Sequence, residues 1–539
     1  MTEQTILDVA VVGAGISGIY SAWRLATSSS APRVHVFDSS DRVGGRLLSL
    51  VPPGVPTARV EIGGMRYTSS HVQVAGVVKY LGLATENFVV GQPNNIAYVR
   101  GKRLRTRDLT DAKKIPYDIA RKDLKGLKTG FPALAAERFL QIVFKKKKVD
   151  LKTVNWLSVA RTGRYEGHAL TDLTMRYLFT RSVGHEAFQF AYDTSGYDSI
   201  FSTWNAADGF PWNLDDYGTA VTYSHVTDGY LTIALKLQQL FEGGGGTVQL
   251  RHRLVRFDRV TLDDGSAGVR LEFAAGARAK PVTVFARKLI LAMPRRSIEL
   301  LEASGVVLDA NNRPVRALIE SVTPIPLFKI ALAYRSRWWE KLGITKGQTV
   351  TDLPIRQCYY WPVEDPKTRH GVILVYDDGS DLDYWAALRT LKHGVFKNAP
   401  APAGAATHLP NWNDFSAPRL MVEEVHRQLL EIHGVTPRAT IEPYSAAFMD
   451  WGADPFGGGA NFWPLHVNSQ RVGRKILHPM PSEPVYICGD AYSHAQGWVE
   501  GALATAEAML QGHLGLAAPP SPLVSPPDAG GGRSTARRK

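Results

Sequence analysis

Cysteine is nearly absent from this chain, which carries Cys358 and Cys488 and no other. Two thiols exclude a disulfide framework and a cysteine-built zinc or iron–sulfur centre, and they fit a reducing, cytoplasmic setting. No stretch of about 20 apolar residues occurs either, so no membrane-spanning helix is expected. Residues 6–19 are apolar but lack a basic leader and a small-residue cleavage pattern, and no secretory signal is read from them. The fifteen histidines show no ligand spacing of the H-x-x-x-H kind, so no metal is expected.

What is present is ordinary for a large globular protein. At 44% hydrophobic and 21% charged residues, neither general disorder nor a membrane bundle fits, and 539 residues suffice for several lobes. Lys and Arg outnumber Asp and Glu by 63 to 50, a balance that could mark an anionic partner. Much of the surplus sits in the lysine run 145–148 and in Arg533, Arg537, Arg538 and Lys539. Both clusters read as solvated surface, so neither nucleic acid nor a membrane is expected as partner.

Residues 6–12, 13–18, 19–27 and 33–37 read strand, glycine turn, helix, strand, which is a βαβ unit. Residues 109–223 are longer, charged and helical in pattern, as in 133–148 and 171–179, and read as a helical insertion. Strand alternation returns at 251–260 and 282–291, with Asp264-Gly265 as a hairpin turn. Short β-branched and aromatic runs at 329–334, 357–361 and 372–376 suggest a second sheet, and two sheets imply a cleft between them. The expectation is an α/β protein with a Rossmann-type dinucleotide-binding domain in pieces (1–72, 228–325 and 470–516). A mixed-sheet substrate domain (73–115 and 326–469) and a helical domain (116–227) complete it. Residues 517–539, rich in Pro, Gly, Ser and basic side chains, read as a disordered tail.

Gly13-Ala14-Gly15-Ile16-Ser17-Gly18 is a GxGxxG placed after a strand and at a helix start. Gly13 permits the turn, Gly15 lets backbone approach a pyrophosphate at the positive helix end, and Gly18 allows helix and strand to pack closely. An acid at the end of the second strand should bind a ribose hydroxyl, and Asp38, followed by Ser39, stands there.

Ser40-Asp41-Arg42-Val43-Gly44-Gly45-Arg46 and Glu61-Ile62-Gly63-Gly64-Met65-Arg66 follow, and Tyr486-Ile487-Cys488-Gly489-Asp490 and Gln496-Gly497-Trp498-Val499-Glu500-Gly501 close the chain. Together these segments resemble the flavin-dependent amine oxidase family and, within it, the L-amino-acid oxidases. The resemblance covers nearly the whole chain to about residue 515. It implies FAD held by the glycine motif and Asp38, by Gly45 and Arg46, and by 63–66. Gly489, Asp490, Trp498 and Val499 would meet its flavin and ribityl end, and Val255 its adenine. Covalent-flavin members carry a cysteine where this chain has Ala460, so noncovalent FAD is implied.

An amino-acid oxidase must bind an α-carboxylate, which asks for a buried arginine in the cleft. The resemblance places Arg66 in that role, Tyr376 as a hydroxyl donor beside it, and Gly497 and Trp498 against the substrate. Thr351-Asp352-Leu353-Pro354 also resembles the oxidase pattern. Lys329 is a lone charge in an apolar run, and burying it costs several kcal/mol unless it is paired or hydrated. The matching family lysine holds a water near flavin N5 and is linked to oxygen reactivity. The implied reaction is oxidative deamination of L-amino acids. Hydride passes from Cα to flavin N5, and the products are 2-oxo acid, ammonia and hydrogen peroxide; relatives are often dimers. The alternatives are an L-amino-acid 2-monooxygenase and a polyamine or monoamine oxidase. Phe201, Trp204, Phe210 and Trp212 would suit a large apolar or aromatic side chain, whereas an inward Asp215 or Asp216 would suit lysine or arginine. His225 is a lone histidine and reads as structural.

Overall fold

The structure, a computed structural model, describes residues 6–201, 204–217, 221–275, 281–363, 368–400 and 408–523. The run ILDVAVV is apolar nearly throughout because the strand Ile6–Val12 is covered on both faces. Val9 and Val11 face one core, Ala10 and Val12 the other. This strand pairs in parallel with Val34–Phe37 on one side and Val282–Leu291 on the other. Thr247–Gln249 extends the sheet in parallel beyond Val34–Phe37. The free edge of Val282–Leu291 takes Val485–Ile487 in parallel at one end and the antiparallel hairpin His252–Thr261 and Ala267–Ala275 at the other. The helices Ile16–Ala26, Thr232–Gly243 and Val499–Leu514 contribute buried residues to the core on the Val9 side.

A second seven-stranded sheet runs in the order Pro443–Asp450, Leu327–Tyr334, Gly371–Asp378, Gln357–Trp361, Gly347–Thr351, Ile96–Val99 and Lys102–Arg105. Its pairings are antiparallel except for Gly347–Thr351 with Ile96–Val99, so the sheet is mixed. Between them lie the helices Phe131–Phe144, Trp156–Thr162, Met175–Ser182, His185–Ser195 and Ala206–Tyr217 in sequence. The fold is α/β with mixed sheets, as expected. Among the described residues no helix is long and apolar enough to cross a membrane.

Three local readings need correction. The first helix starts at Ile16 rather than near Ile19, because the second half of the glycine motif is already helical. The helix expected over 133–148 ends at Phe144, where Lys145 turns left-handed at φ 53°, and Lys145 to Lys148 are exposed. Of the tail expected over 517–539, the stretch to Leu523 is packed, and 524–539 lie outside the described residues. Arg24 Nη2 donates to Ala517 O at 2.8 Å, and Leu523 is buried in the core that contains the first helix.

Candidate functional site

A cavity of about 520 Å³ opens between the two sheets and takes its walls from both. That is the size of a small-molecule or cofactor site. Gly13, Gly15, Ile16 and Ser17 form one end of it. A methyl on Gly18 would lie 1.8 Å from Gly13 O, so this residue is glycine because helix and turn touch there. Gly18 and Ala14 do not line the cavity; Ala14 N–H instead donates to Asp38 Oδ2 at 2.6 Å. Asp38 also accepts from Ser40 N–H and Oγ–H at 2.8 and 2.7 Å, and it lines the cavity with Ser39. The first helix has no side-chain cap and no acid in its first turn, so its free N–H groups remain donors for an anion. Gly15 is also open on the side a phosphate would approach: a methyl there meets nothing closer than Gly45 Cα at 3.8 Å. These features fit a dinucleotide.

Gly45, Arg46, Gly63, Gly64 and Met65 continue the wall. Arg46 pairs with the Asp490 carboxylate and donates to Gly459 O at 3.0 Å. Gly489, Asp490, Gly497, Trp498 and Val499 line the far end, where Trp498 caps the helix Val499–Leu514 and turns its positive end toward the cavity. Within its first turn, Glu500 reaches out of this helix to accept from the N–H groups of Gln73 and Val74 at 3.1 and 3.0 Å, capping the helix Val72–Tyr80. Ala460 is part of the wall. Val255 is not. It sits at a bulge in its strand, its carbonyl accepting from Glu302 N–H, while His252, Arg253 and Leu254 face the cavity.

Arg66 lines the same cavity and is 4% exposed. The strand Tyr67–Thr68 that follows it pairs with Tyr223–Val226, which puts the Tyr223 ring 4.4 Å from the guanidinium carbon. Phe88 and Tyr359 lie on other sides at 5.3 and 5.7 Å. Arg66 Nη1 donates to Tyr359 Oη at 3.3 Å, but Nε is buried with no partner, and among the described residues no carboxylate lies within 4 Å of the group. Asp216, held by the Tyr223 hydroxyl at 3.1 Å, is the carboxylate whose charge bears on it.

Lys329 and Tyr376 are direct partners across adjacent strands, and the Lys329 Nζ stands 4.8 Å from the Tyr376 ring. Nζ donates to Gly63 O at 2.5 Å and Glu61 O at 3.4 Å. Burial pushes the Lys329 ammonium down to about 7 despite the nearby Glu61. Burial likewise pushes the Glu61 carboxyl up to about 8, against the Tyr230 N–H and Ser49 hydroxyl that it accepts from. Both groups therefore titrate close to neutrality.

Of the aromatic stretch, Phe201, Trp204 and Phe210 are core residues. Trp212 and Asp216, one helical turn apart, face the cavity, with Trp212 Nε1 donating to Gln496 O at 3.1 Å. Asp215 points the other way, to Ser70. His225 pairs with Glu86 at 3.7 Å in the small sheet and does not line the cavity. Sequence reasoning missed Tyr197, Tyr223, Tyr359 and Asp378. The last had a signal, since Asp378 follows Tyr376 by two residues on one strand and must share its face.

Comparison with known proteins gives one picture. A family model described as flavin containing amine oxidoreductase matches residues 16–394. Aplysianin-A of Aplysia kurodai is 26% identical over 96% of this chain and 92% of its own. An L-amino-acid oxidase of Protobothrops flavoviridis is 22% identical over 91% and 86%. Among solved structures, cyclohexylamine oxidase from Brevibacterium oxydans IH-35A aligns at TM-score 0.63 and 17% identity, covering 94% of this chain and 98% of that one. Putrescine oxidase bound to putrescine aligns at 0.65 and 16%, covering 95% and 100%.

Proposed function

The chain belongs to the flavin-containing amine oxidoreductase family, and we propose that within it the protein is an L-amino-acid oxidase that holds FAD noncovalently. The observation that carries this reading is Arg66, a buried permanent cation aimed into the cavity with no carboxylate within 4 Å among the described residues. A simple amine brings nothing for such a group, whereas an α-carboxylate would accept from its free Nε–H and satisfy its charge.

The cofactor would lie along Gly13, Gly15, Asp38, Ser39, Arg46, Gly64 and Asp490. The chain's two thiols are buried outside the cavity wall, and Ala460 offers no sulfur, which supports noncovalent binding. Bound there, FAD would supply the two-electron acceptor for the substrate Cα–H and then pass the electrons to dioxygen. Arg66 clamps the carboxylate and Tyr376 borders it from the opposite sheet. The Gly497 carbonyl and the Trp498 ring fix the amine end, and Trp212 keeps water away from the reacting carbon. Lys329 stands ready as a proton carrier beside Tyr376. With water completing the balance, an amino acid and dioxygen give a 2-oxo acid, ammonia and hydrogen peroxide.

Anaerobic bleaching of the flavin by L-amino acids, their D-enantiomers and the matching amines tests the reading. Reduction by L-amino acids alone supports it, and faster reduction by the amines overturns it. Amide and carbon dioxide in place of peroxide would instead identify the 2-monooxygenase. A homodimer in the cytoplasm belongs to the same proposal, checked by sedimentation and cell fractionation.

A further inference from the structure

We infer that Asp378 is the specificity-determining residue of the cavity and that the preferred amino acids carry a cationic side chain, lysine and its homologues above all. This rests on the amino-acid oxidase reading. Asp378 is 4% exposed and lines the same cavity as Arg66. Its carboxylate accepts from Asp198 N–H at 3.0 Å and from the Ser199 hydroxyl, and among the described residues no cation comes within 4 Å of it. The neighbouring Arg356, which could have paired with it, is bonded to Asp198 at 2.8 Å. A buried carboxylate with two neutral donors and no counter-ion is held in shape but left electrostatically incomplete, and its burial pushes it up to about 6.

Among the described residues the cavity thus presents a cation with no carboxylate within 4 Å, Arg66, and a carboxylate with no cation within 4 Å, Asp378. The ligand that completes both is an α-carboxylate joined to a distal ammonium or guanidinium. The strand fixes the spacing of Asp378 from Tyr376, which borders the α-carboxylate. Asp378 and Tyr376 share one face, about 7 Å apart, and their partners across the ladder, Leu327 and Lys329, also line the cavity. The four-carbon stem of lysine is suited to that gap, with Tyr197 and Trp212 as apolar walls for its methylenes. Asp216 adds negative charge nearby, but it faces Arg66 and the Tyr223 hydroxyl.

Four compounds separate this inference from the reading beneath it: L-lysine, L-leucine, 1,5-diaminopentane and 3-methylbutylamine, each used to reduce the holoenzyme flavin anaerobically. The expected result is a kcat/KM for L-lysine at least 10-fold above L-leucine and above 1,5-diaminopentane. In Asp378→Asn, which keeps the shape and an acceptor for Asp198 N–H, the lysine-to-leucine ratio should fall at least 30-fold. Leucine equal to or better than lysine, or an unchanged ratio in the variant, overturns the role of Asp378 and leaves the oxidase reading standing. Diamine ahead of both amino acids, with the ratio of diamine to monoamine falling in the variant, overturns the amino-acid reading while retaining the charge recognition by Asp378.

Discussion

Arg66 and Lys329 are both buried cations, yet their surroundings set them different tasks. The guanidinium is wrapped in Tyr223, Phe88 and Tyr359 and keeps its charge under all conditions. Arg66→Ala should therefore lower kcat/KM for amino acids by about 100-fold or more, roughly 3 kcal/mol for a charged pair lost in a dry site. Arg66→Lys should recover a minor part, because an ammonium cannot make the bidentate contact. Wild-type rates in the alanine variant would remove Arg66 from substrate binding. Lys329, pushed down to about 7, changes charge within the working range. It is protonated below that value, so a step that builds negative charge on dioxygen should slow as pH rises through about 7. Stopped-flow reoxidation of the reduced enzyme measures this, and Lys329→Met should abolish the pH step and slow reoxidation by about 100-fold. The placement of single residues was legible where chemistry forces a choice, as with a lysine alone in an apolar strand, which is buried against the cavity. They were hidden where neighbours come from distant segments: nothing in the local sequence joins Arg66 to Tyr359, whose hydroxyl oxygen accepts from it out of the other sheet.

Among the elements, the glycine turn makes a sharp distinction between packing and binding. A methyl on Gly18 strikes Gly13 O at 1.8 Å, whereas one on Gly15 points into open cavity with its nearest neighbour at 3.8 Å. Gly18→Ala should lower stability by about 3 kcal/mol or more through the forced separation of helix and strand, seen as a large drop in Tm. Gly15→Ala should leave the apoprotein Tm within about a degree and weaken FAD binding at least 10-fold, because the backbone can no longer reach the pyrophosphate. Equal effects of the two changes would contradict the division. Periodicity located the strands well: residues 6–12 and 357–361 form strands over those spans. It could not show the bulge at Val255, because an extra residue reverses which side chains face inward and alternation cannot reveal where one is inserted. It also overran the helix ending at Phe144, since lysine is a good helix former and the left-handed turn at Lys145 is set by tertiary context.

At the level of the whole molecule, the helix Val499–Leu514 is fastened to the helix Ile16–Ala26. Glu507, buried in the last helix, accepts from Tyr20 Oη at 2.7 Å and Arg24 Nε at 2.5 Å, and Arg24 also holds Ala517 O. Truncation after Leu516 removes that contact and the burial of Leu523, worth about 2 kcal/mol. It should lower Tm by about 2 °C or more relative to truncation after Leu523, a difference read by calorimetry. Composition could not show this, because a segment rich in proline and glycine reads as disordered whether or not one leucine in it finds a pocket. The same architecture governs biosynthesis. The opening strand Ile6–Val12 leaves the ribosome long before the segment Val485–Ile487, which shares its neighbour Val282–Leu291, has been translated. A nascent polypeptide must carry an incomplete cofactor lobe, its apolar faces exposed to chaperones, until synthesis has delivered the helix Val499–Leu514.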